Sequence, residues 1–115
     1  MSRAPRAERP LTPAVLHILL ALAGGERHGY ALLQEVPELS GGRVKLGPGT
    51  LYRSLSELLT LGWIEESDAD PESDPRRRTY RLSRRGRAAL QAEMTRLDAL
   101  VAAARARRVL PGGAR

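Results

Sequence analysis

The chain has 115 residues and no cysteine, which allows one modest core and excludes a disulfide framework, a thiolate metal site and a cysteine nucleophile together. Nineteen Lys and Arg, every one an arginine except Lys45, stand against thirteen Asp and Glu for a formal net charge of +6. That balance favours polyanionic partners, nucleic acid first, while freely coded arginine and ordinary solvated faces explain the charge alone equally well.

Residues 1–10 carry Arg3, Arg6, Arg9 and two prolines without apolar periodicity, and read as a flexible basic arm. At Thr12-Pro13 a hydroxyl able to accept from free N–H groups precedes a proline whose fixed φ suits the first helical position. A helix from Pro13 to about Ala23 is expected there. Val15, Leu16, Ile18, Leu19, Leu20 and Leu22 point almost all round it, which predicts burial on more than one side, part of it against a second subunit. This is also the longest apolar run, interrupted by His17 and too short to span a bilayer. It lacks the small-residue cleavage site of a secretory signal, so a cytoplasmic protein with no membrane partner is expected.

Gly24-Gly25 ends that helix, and His28 to Val36 begins a second one with Leu32, Leu33 and Val36 at core spacing. Pro37 is expected to kink or end it. Gly41-Gly42 turns the chain into Arg43-Val44-Lys45-Leu46, whose alternation predicts a short strand.

Next comes Gly-Pro-Gly-Thr, residues 47 to 50. Gly47 serves as an N-cap, Pro48 as the first helical residue, and Gly49 and Thr50 complete a first turn with little side-chain bulk, leaving its N–H groups open to a phosphate. At 100° per residue Leu51, Leu55, Leu58 and Leu59 fall on one side, and Gly49, Thr50, Arg53, Ser56, Glu57 and Thr60 on the other, with Tyr52 at the border. A helix that buries its leucines and presents a donor-rich face from a sterically open start suits a major groove.

Trp63 to Glu66 reads as a strand, Ser67 to Pro75 as an acidic loop and Arg77 to Leu82 as a returning strand, together a β-hairpin or wing. In the returning strand Arg78, Tyr80 and Leu82 share one face, and Arg77, Thr79 and Arg81 the other. Ser83 caps a last helix from Arg84 to about Arg108. Within it Leu90, Met94, Leu97, Val101 and Ala104 recur at heptad spacing. So short a chain supplies the partner of such a seam most simply from a second copy, the alternative being a helix that folds back on its own domain.

The order helix, helix, strand, helix, two-stranded wing, long helix predicts a mainly α protein with a small β wing: a winged helix-turn-helix plus a C-terminal dimerisation helix. Its expected parts are the arm 1–10, a DNA-binding domain 11–83, a dimerisation helix 84–108 and a disordered tail 109–115. The leucine-rich first helix, "HGYALLQEV" at His28 to Val36, "GTLYRSLSELLTLGWI" at Gly49 to Ile64 and "RRTYRLSRRG" at Arg77 to Gly86 resemble the PadR-like transcriptional regulators, in the smaller subgroup with a single C-terminal helix. The resemblance implies a homodimer on a pseudo-palindromic double-stranded operator, usually a repressor, released by a small-molecule or stress effector that the sequence does not name. It implies Thr50, Tyr52 and Arg53 at the DNA surface beside Pro48 and Gly49, Tyr30 at the backbone near the second helix, and Arg76, Arg77 and Arg78 on phosphates or a minor groove. Two departures matter. Arg53 stands where the family commonly has proline, and the wing tip carries Asp68, Asp70, Glu72 and Asp74, which would repel phosphate.

Blander roles compete at several positions. Tyr52 can be a half-buried core residue with its hydroxyl in water, Tyr30 a filler between helices, Glu57 an orienter of a nearby arginine, and Trp63 a closure of the core. His17 and His28 lie on different elements without a carboxylate at ligand spacing, so neither is expected to bind metal, and no cofactor is implied. No Gly-Lys-Ser/Thr loop ending, Gly-x-Ser-x-Gly elbow or His-Glu-x-x-His occurs, which speaks against an enzyme. Two competitors remain: a winged-helix protein-interaction module, and a small RNA-binding protein, the latter poorly supplied with stacking aromatics.

Overall fold

The computed structural model describes residues 11–67 and 77–112. The predicted arm, the acidic tip with Asp68, Asp70, Glu72 and Asp74, Arg76, and the last three residues lie outside the described residues. The elements run α1 (Pro13–Ala23), β1 (Arg27–His28), α2 (Gly29–Leu39), α3 (Pro48–Leu61), β2 (Ile64–Glu66), β3 (Thr79–Leu82) and α4 (Arg84–Ala106). The fold is thus mainly helical with a small antiparallel sheet, and none of the described helices is long and apolar enough to cross a membrane.

The helix boundaries follow from local chemistry. The Thr12 hydroxyl accepts from the Val15 N–H at 3.2 Å, and Pro13 fills the first helical position. Gly47 opens α3 from extended backbone ahead of Pro48. At its far end Gly62 takes φ 78°, and the Leu58 and Leu59 carbonyls accept from Trp63 and Gly62 at 3.0 Å each. This is a Schellman closure, which needs the left-handed residue that glycine supplies without a Cβ penalty. Pro37 sits in the last turn of α2, two residues before its end at Leu39, so it accompanies the termination without cutting the helix.

The central layer is α1, which packs on α2, on α4 and on β3. Ile18, Leu19 and Leu22 meet Leu32 and Val36 of α2, Leu51, Leu55 and Leu58 of α3, Ile64 and Tyr80 of the sheet, and Ala89 and Leu90 of α4 in one buried cluster. Burial of each such Leu or Ile stabilises the fold by roughly 1.5 to 3 kcal/mol. The expectation that α1 is covered on several sides holds, with Leu20 left on its outer side. Trp63 closes the core where β2 begins.

Two strand expectations need correction. Arg43 to Leu46 is not a strand: Val44 donates to the Ser40 hydroxyl at 2.8 Å and Leu46 inserts into the core from irregular chain. In the sheet order β1-β3-β2 this segment takes no place. The third strand is instead β1, between α1 and α2, with Arg27 opposite Tyr80 and His28 opposite Thr79.

The last helix also spends its residues differently along its length. Leu90, expected to open an intersubunit seam, is only 6% exposed and belongs to the protomer's own core, and Met94 packs partly against that core. Beyond them Leu97, Val101 and Ala104 are half-buried and Leu100 is 61% exposed.

Beside Met94 lies a buried charged residue that the heptad pattern does not mark as internal. Glu93 is 6% exposed, accepts from Arg96 at 2.7 and 3.1 Å, and receives the backbone N–H of Leu11. The Arg96 hydrogen bonds hold its carboxyl below the usual range against the opposing effect of burial, with the Arg96 charge and the Leu11 N–H adding to the lowering. A carboxyl lowered on folding contributes stability above its unfolded pKa and loses that contribution as pH falls through the folded one. Glu93→Gln is therefore expected to cost about 1 kcal/mol at pH 7, a modest figure because Arg96 is half exposed and screened. In urea unfolding the difference from the parent should shrink as the pH is lowered below the usual carboxylate range. A pH-independent difference would assign the loss to packing instead.

Candidate nucleic-acid interface

The start of α3 lies in solvent: Gly47, Pro48, Gly49 and Thr50 are all exposed. The glycines are the informative part. Neither has a positive φ, and a Cβ built on either would meet nothing within 4 Å. Gly47 sits at the N-cap, where glycine is a favoured residue, but at Gly49, inside the helix, neither φ nor packing calls for glycine, which weakens the turn relative to alanine by up to about 1 kcal/mol. The open space over the turn and its free N–H groups suit an anion.

One turn further on, Arg53 is exposed, and no ion pair engages it among the described residues. Ser56, Glu57 and Thr60 continue the same face, the Thr60 hydroxyl donating back to the Ser56 carbonyl at 3.1 Å. The opposite face buries Leu51, Leu55 and Leu58, as the wheel requires.

Tyr52 behaves differently from either sequence reading. Its ring is half-buried and its hydroxyl is buried, close enough to Tyr80 to act on that residue's proton affinity. Burial, with the Glu66 carboxylate second, pushes the Tyr80 phenol above its usual range, while Arg78 pulls it back. Tyr52 thus reaches inward from α3 to the sheet, and its hydroxyl does not point to solvent.

The wing arginines divide by strand face, as the alternation predicts. Arg78 lies on the inner side and donates to Glu66 at 3.2 Å; it also hydrogen-bonds Tyr80. Arg81 lies outside and is held by Glu65, its partner across the ladder, at 3.0 Å, with Glu26 at 3.7 Å. Arg77 is exposed, and among the described residues its guanidinium forms no ion pair. Its carbonyl faces the His28 ring, and the next carbonyl, of Arg78, accepts from Gly29 at 3.1 Å. These bonds join the start of α2 to the base of the wing and bring Tyr30, 58% exposed, beside it. Tyr30 is not a filler between helices.

Two turns are stitched together behind this face. The Ser83 hydroxyl donates to the Gly62 carbonyl at 2.6 Å and accepts from the Gly86 N–H at 3.0 Å, while the Ser83 N–H donates to the Trp63 carbonyl at 3.0 Å. The end of α3 and the start of α4 therefore share one joint.

A helix with an open, donor-rich start, carried on a preceding helix and flanked by a two-stranded hairpin with basic residues at its base, defines the winged helix-turn-helix class of DNA-binding proteins. Within that class the chain belongs to the transcriptional regulator PadR-like family, whose model matches residues 15–92. It is accordingly a transcriptional regulator and not an enzyme, and PadR-like regulators bind DNA. It is 39% identical over 99 residues to the transcriptional regulator Rv3488 of Mycobacterium tuberculosis, covering 84% of this chain and 82% of that one. It is 36% identical over 91 residues to an uncharacterized 37.1 kDa protein in transposon TN4556 of Streptomyces fradiae, covering 76% of this chain but spanning only 25% of that protein. Among solved structures, a complex of hsRosR-S1, the RosR of H. salinarum, superposes with a TM-score of 0.65 at 31% identity over 86% of this chain and 85% of the other.

Proposed function

We propose that the protein is a homodimeric repressor that binds a pseudo-palindromic operator in double-stranded DNA. It would act in the cytoplasm, with α3 of each protomer in a major groove. The observation that carries the reading is Gly49, which neither φ nor packing requires to be glycine, at the exposed start of the helix that presents Thr50 and Arg53. In this reading the N–H groups after Pro48 meet a phosphate, Arg53 and Thr50 reach base edges or backbone, and Tyr30 and Arg77 grip the flanking backbone. Arg76, next to Arg77, extends the same basic run. Arg78 and Tyr52 act from behind, holding the wing to α3.

The second copy is supported by the outer half of α4, where Leu97, Leu100, Val101 and Ala104 form an apolar stripe that the protomer itself leaves partly uncovered. Two-fold pairing through that stripe would space two recognition helices about one turn of DNA apart. An effector that changes the angle between paired helices would then release the operator.

The test is fluorescence anisotropy of a labelled duplex from the gene's own upstream region against a scrambled duplex at low and high salt. Native-duplex preference that survives added salt is expected, with Arg53→Ala weakening it about tenfold or more. Leu97→Glu combined with Val101→Glu should give a folded monomer in sedimentation that has lost operator affinity, because neither side chain belongs to the protomer core. Equal, salt-labile binding to both duplexes would sink sequence-specific repression, and a monomer with full affinity would sink the dimer.

A further inference from the structure

His28 closes β1 and precedes α2, but its side chain makes no cap there. The ring crosses to the neighbouring strand instead, where Nδ1 lies 3.1 Å from the Arg77 carbonyl oxygen and 3.2 Å from the Thr79 hydroxyl. A carbonyl oxygen only accepts, so Nδ1 must carry a proton; a lone pair there would set two acceptors against each other. The Thr79 hydroxyl rotates to suit either state and does not decide the matter. With Nδ1 committed inward, Nε2 on the far side of the ring is the nitrogen that this exposed residue offers to the outside. In the neutral ring Nε2 presents a bare lone pair. In the imidazolium it presents an N–H and a positive charge.

Tyr30, two residues on, and Arg77, whose backbone carbonyl meets Nδ1, are exposed as well. We propose that His28 is a phosphate contact of the DNA interface, engaged through Nε2 and only as the imidazolium. This rests on the winged-helix reading of that interface.

Arg27 is paired with Glu35 at 2.7 Å, Arg78 with Glu66 at 3.2 Å, and Arg81 with Glu65 at 3.0 Å and Glu26 at 3.7 Å. Among the described residues near β1 three arginines thus engage four carboxylates, and Glu38 stands at the opposite end of α2. Tyr80, the remaining titratable group on β3, is buried on the inner face, its phenol held neutral by burial. A phosphate accepting from Nε2 favours the imidazolium. Protonation and DNA binding are then linked, and each favours the other.

The experiment measures operator affinity between pH 6 and pH 8, and its salt dependence at both limits, for the parent chain, His28→Gln and His17→Gln. His17, whose Nδ1 lies 2.7 Å from the Pro13 carbonyl in α1, serves as the control histidine. The parent and His17→Gln are expected to bind roughly tenfold more tightly at pH 6 for each His28 engaged. The logarithmic salt slope should steepen by about 0.9 for each phosphate gained. His28→Gln should bind like the parent at pH 8 and follow neither change. A flat parent profile, or a parent-like profile in His28→Gln, overturns the assignment of His28 while leaving operator binding intact. Absence of specific binding at pH 8 in all three chains instead overturns the DNA reading on which it rests. Proton NMR of the parent alone gives a second arm that no folding defect can blur: the titration midpoint of the His28 ring should rise when the duplex is added, and an unchanged midpoint overturns the proposal.

Discussion

Replacing Gly86 by alanine is expected to destabilise the fold by about 3 kcal/mol or more, measured as a shift of the urea midpoint at constant slope. Helix propensity alone predicts the opposite sign, since alanine in a helix is better than glycine by about 1 kcal/mol. Packing decides against propensity. A Cβ at Gly86 would be driven into the backbone carbonyl of Trp63, with the carbonyl carbon at 2.8 Å and a Leu82 methyl at 3.1 Å. Neither neighbour can retreat cheaply. The Trp63 carbonyl accepts from the Ser83 N–H, and its residue follows the left-handed closure at Gly62. Leu82 sits in register opposite Ile64. Relief would require α4 to lift off the turn, which would strip Ala89 and Leu90 from the core. A Gly86→Ala chain as stable as the parent would mean that the joint between the two helices is looser than its hydrogen bonds imply.

Gly49→Ala should do the reverse, separating stability from binding. Its site has helical backbone and open space around the added methyl, so thermal stability is expected to stay level or rise by up to about 1 kcal/mol. Operator affinity should nevertheless fall about tenfold or more, because the methyl occupies the space through which a phosphate approaches the N–H groups of the first turn. A destabilised protein that binds poorly would only report damage. The diagnostic outcome is a fold at least as stable as the parent with the affinity lost, whereas unchanged affinity would remove Gly49 as support for the interface.

The readable parts of this sequence were those whose chemistry is local. Thr12-Pro13, Gly47-Pro48, the left-handed Gly62 and the capping Ser83 each act within a few residues, and the helices they bound lie where the sequence puts them. The leucine face of α3 and the alternation of β3 were equally direct, because burial imposes its period on the sequence. β1 was not readable: it is two polar residues long, and its partner strand lies about fifty positions away. Arg43 to Leu46 carried a strand pattern, but the Val44 N–H is taken by the Ser40 hydroxyl and Leu46 turns into the core, neither of which alternation reveals. The heptad in α4 announced an apolar seam without saying against what, and the fold divides it, taking Leu90 inward and leaving Leu97 and Val101 half-buried. Side-chain direction was the least legible level. Tyr52 lies at the border of its wheel, and only the position of Tyr80 turns its hydroxyl inward. Arg78 has an inner-face position that the pattern gave, but its pairing with Glu66 depends on the hairpin register.

The joint formed by Gly62, Trp63, Ser83 and Gly86 makes α4 a lever whose short end is α3. Because the two helices are bonded to each other directly, the hairpin between them is bypassed, and its length can change without altering their mutual angle. Motion is passed on with mechanical advantage: a sideways shift of roughly 2 Å at Val101, roughly 22 Å along α4 from the joint, turns the attached helix by roughly 5°. The same stiffness runs backward. In the proposed dimer, a tilt of α3 on a poorly matched site would be felt at the far end of α4, so discrimination between sites and strength of assembly would be geared to one another.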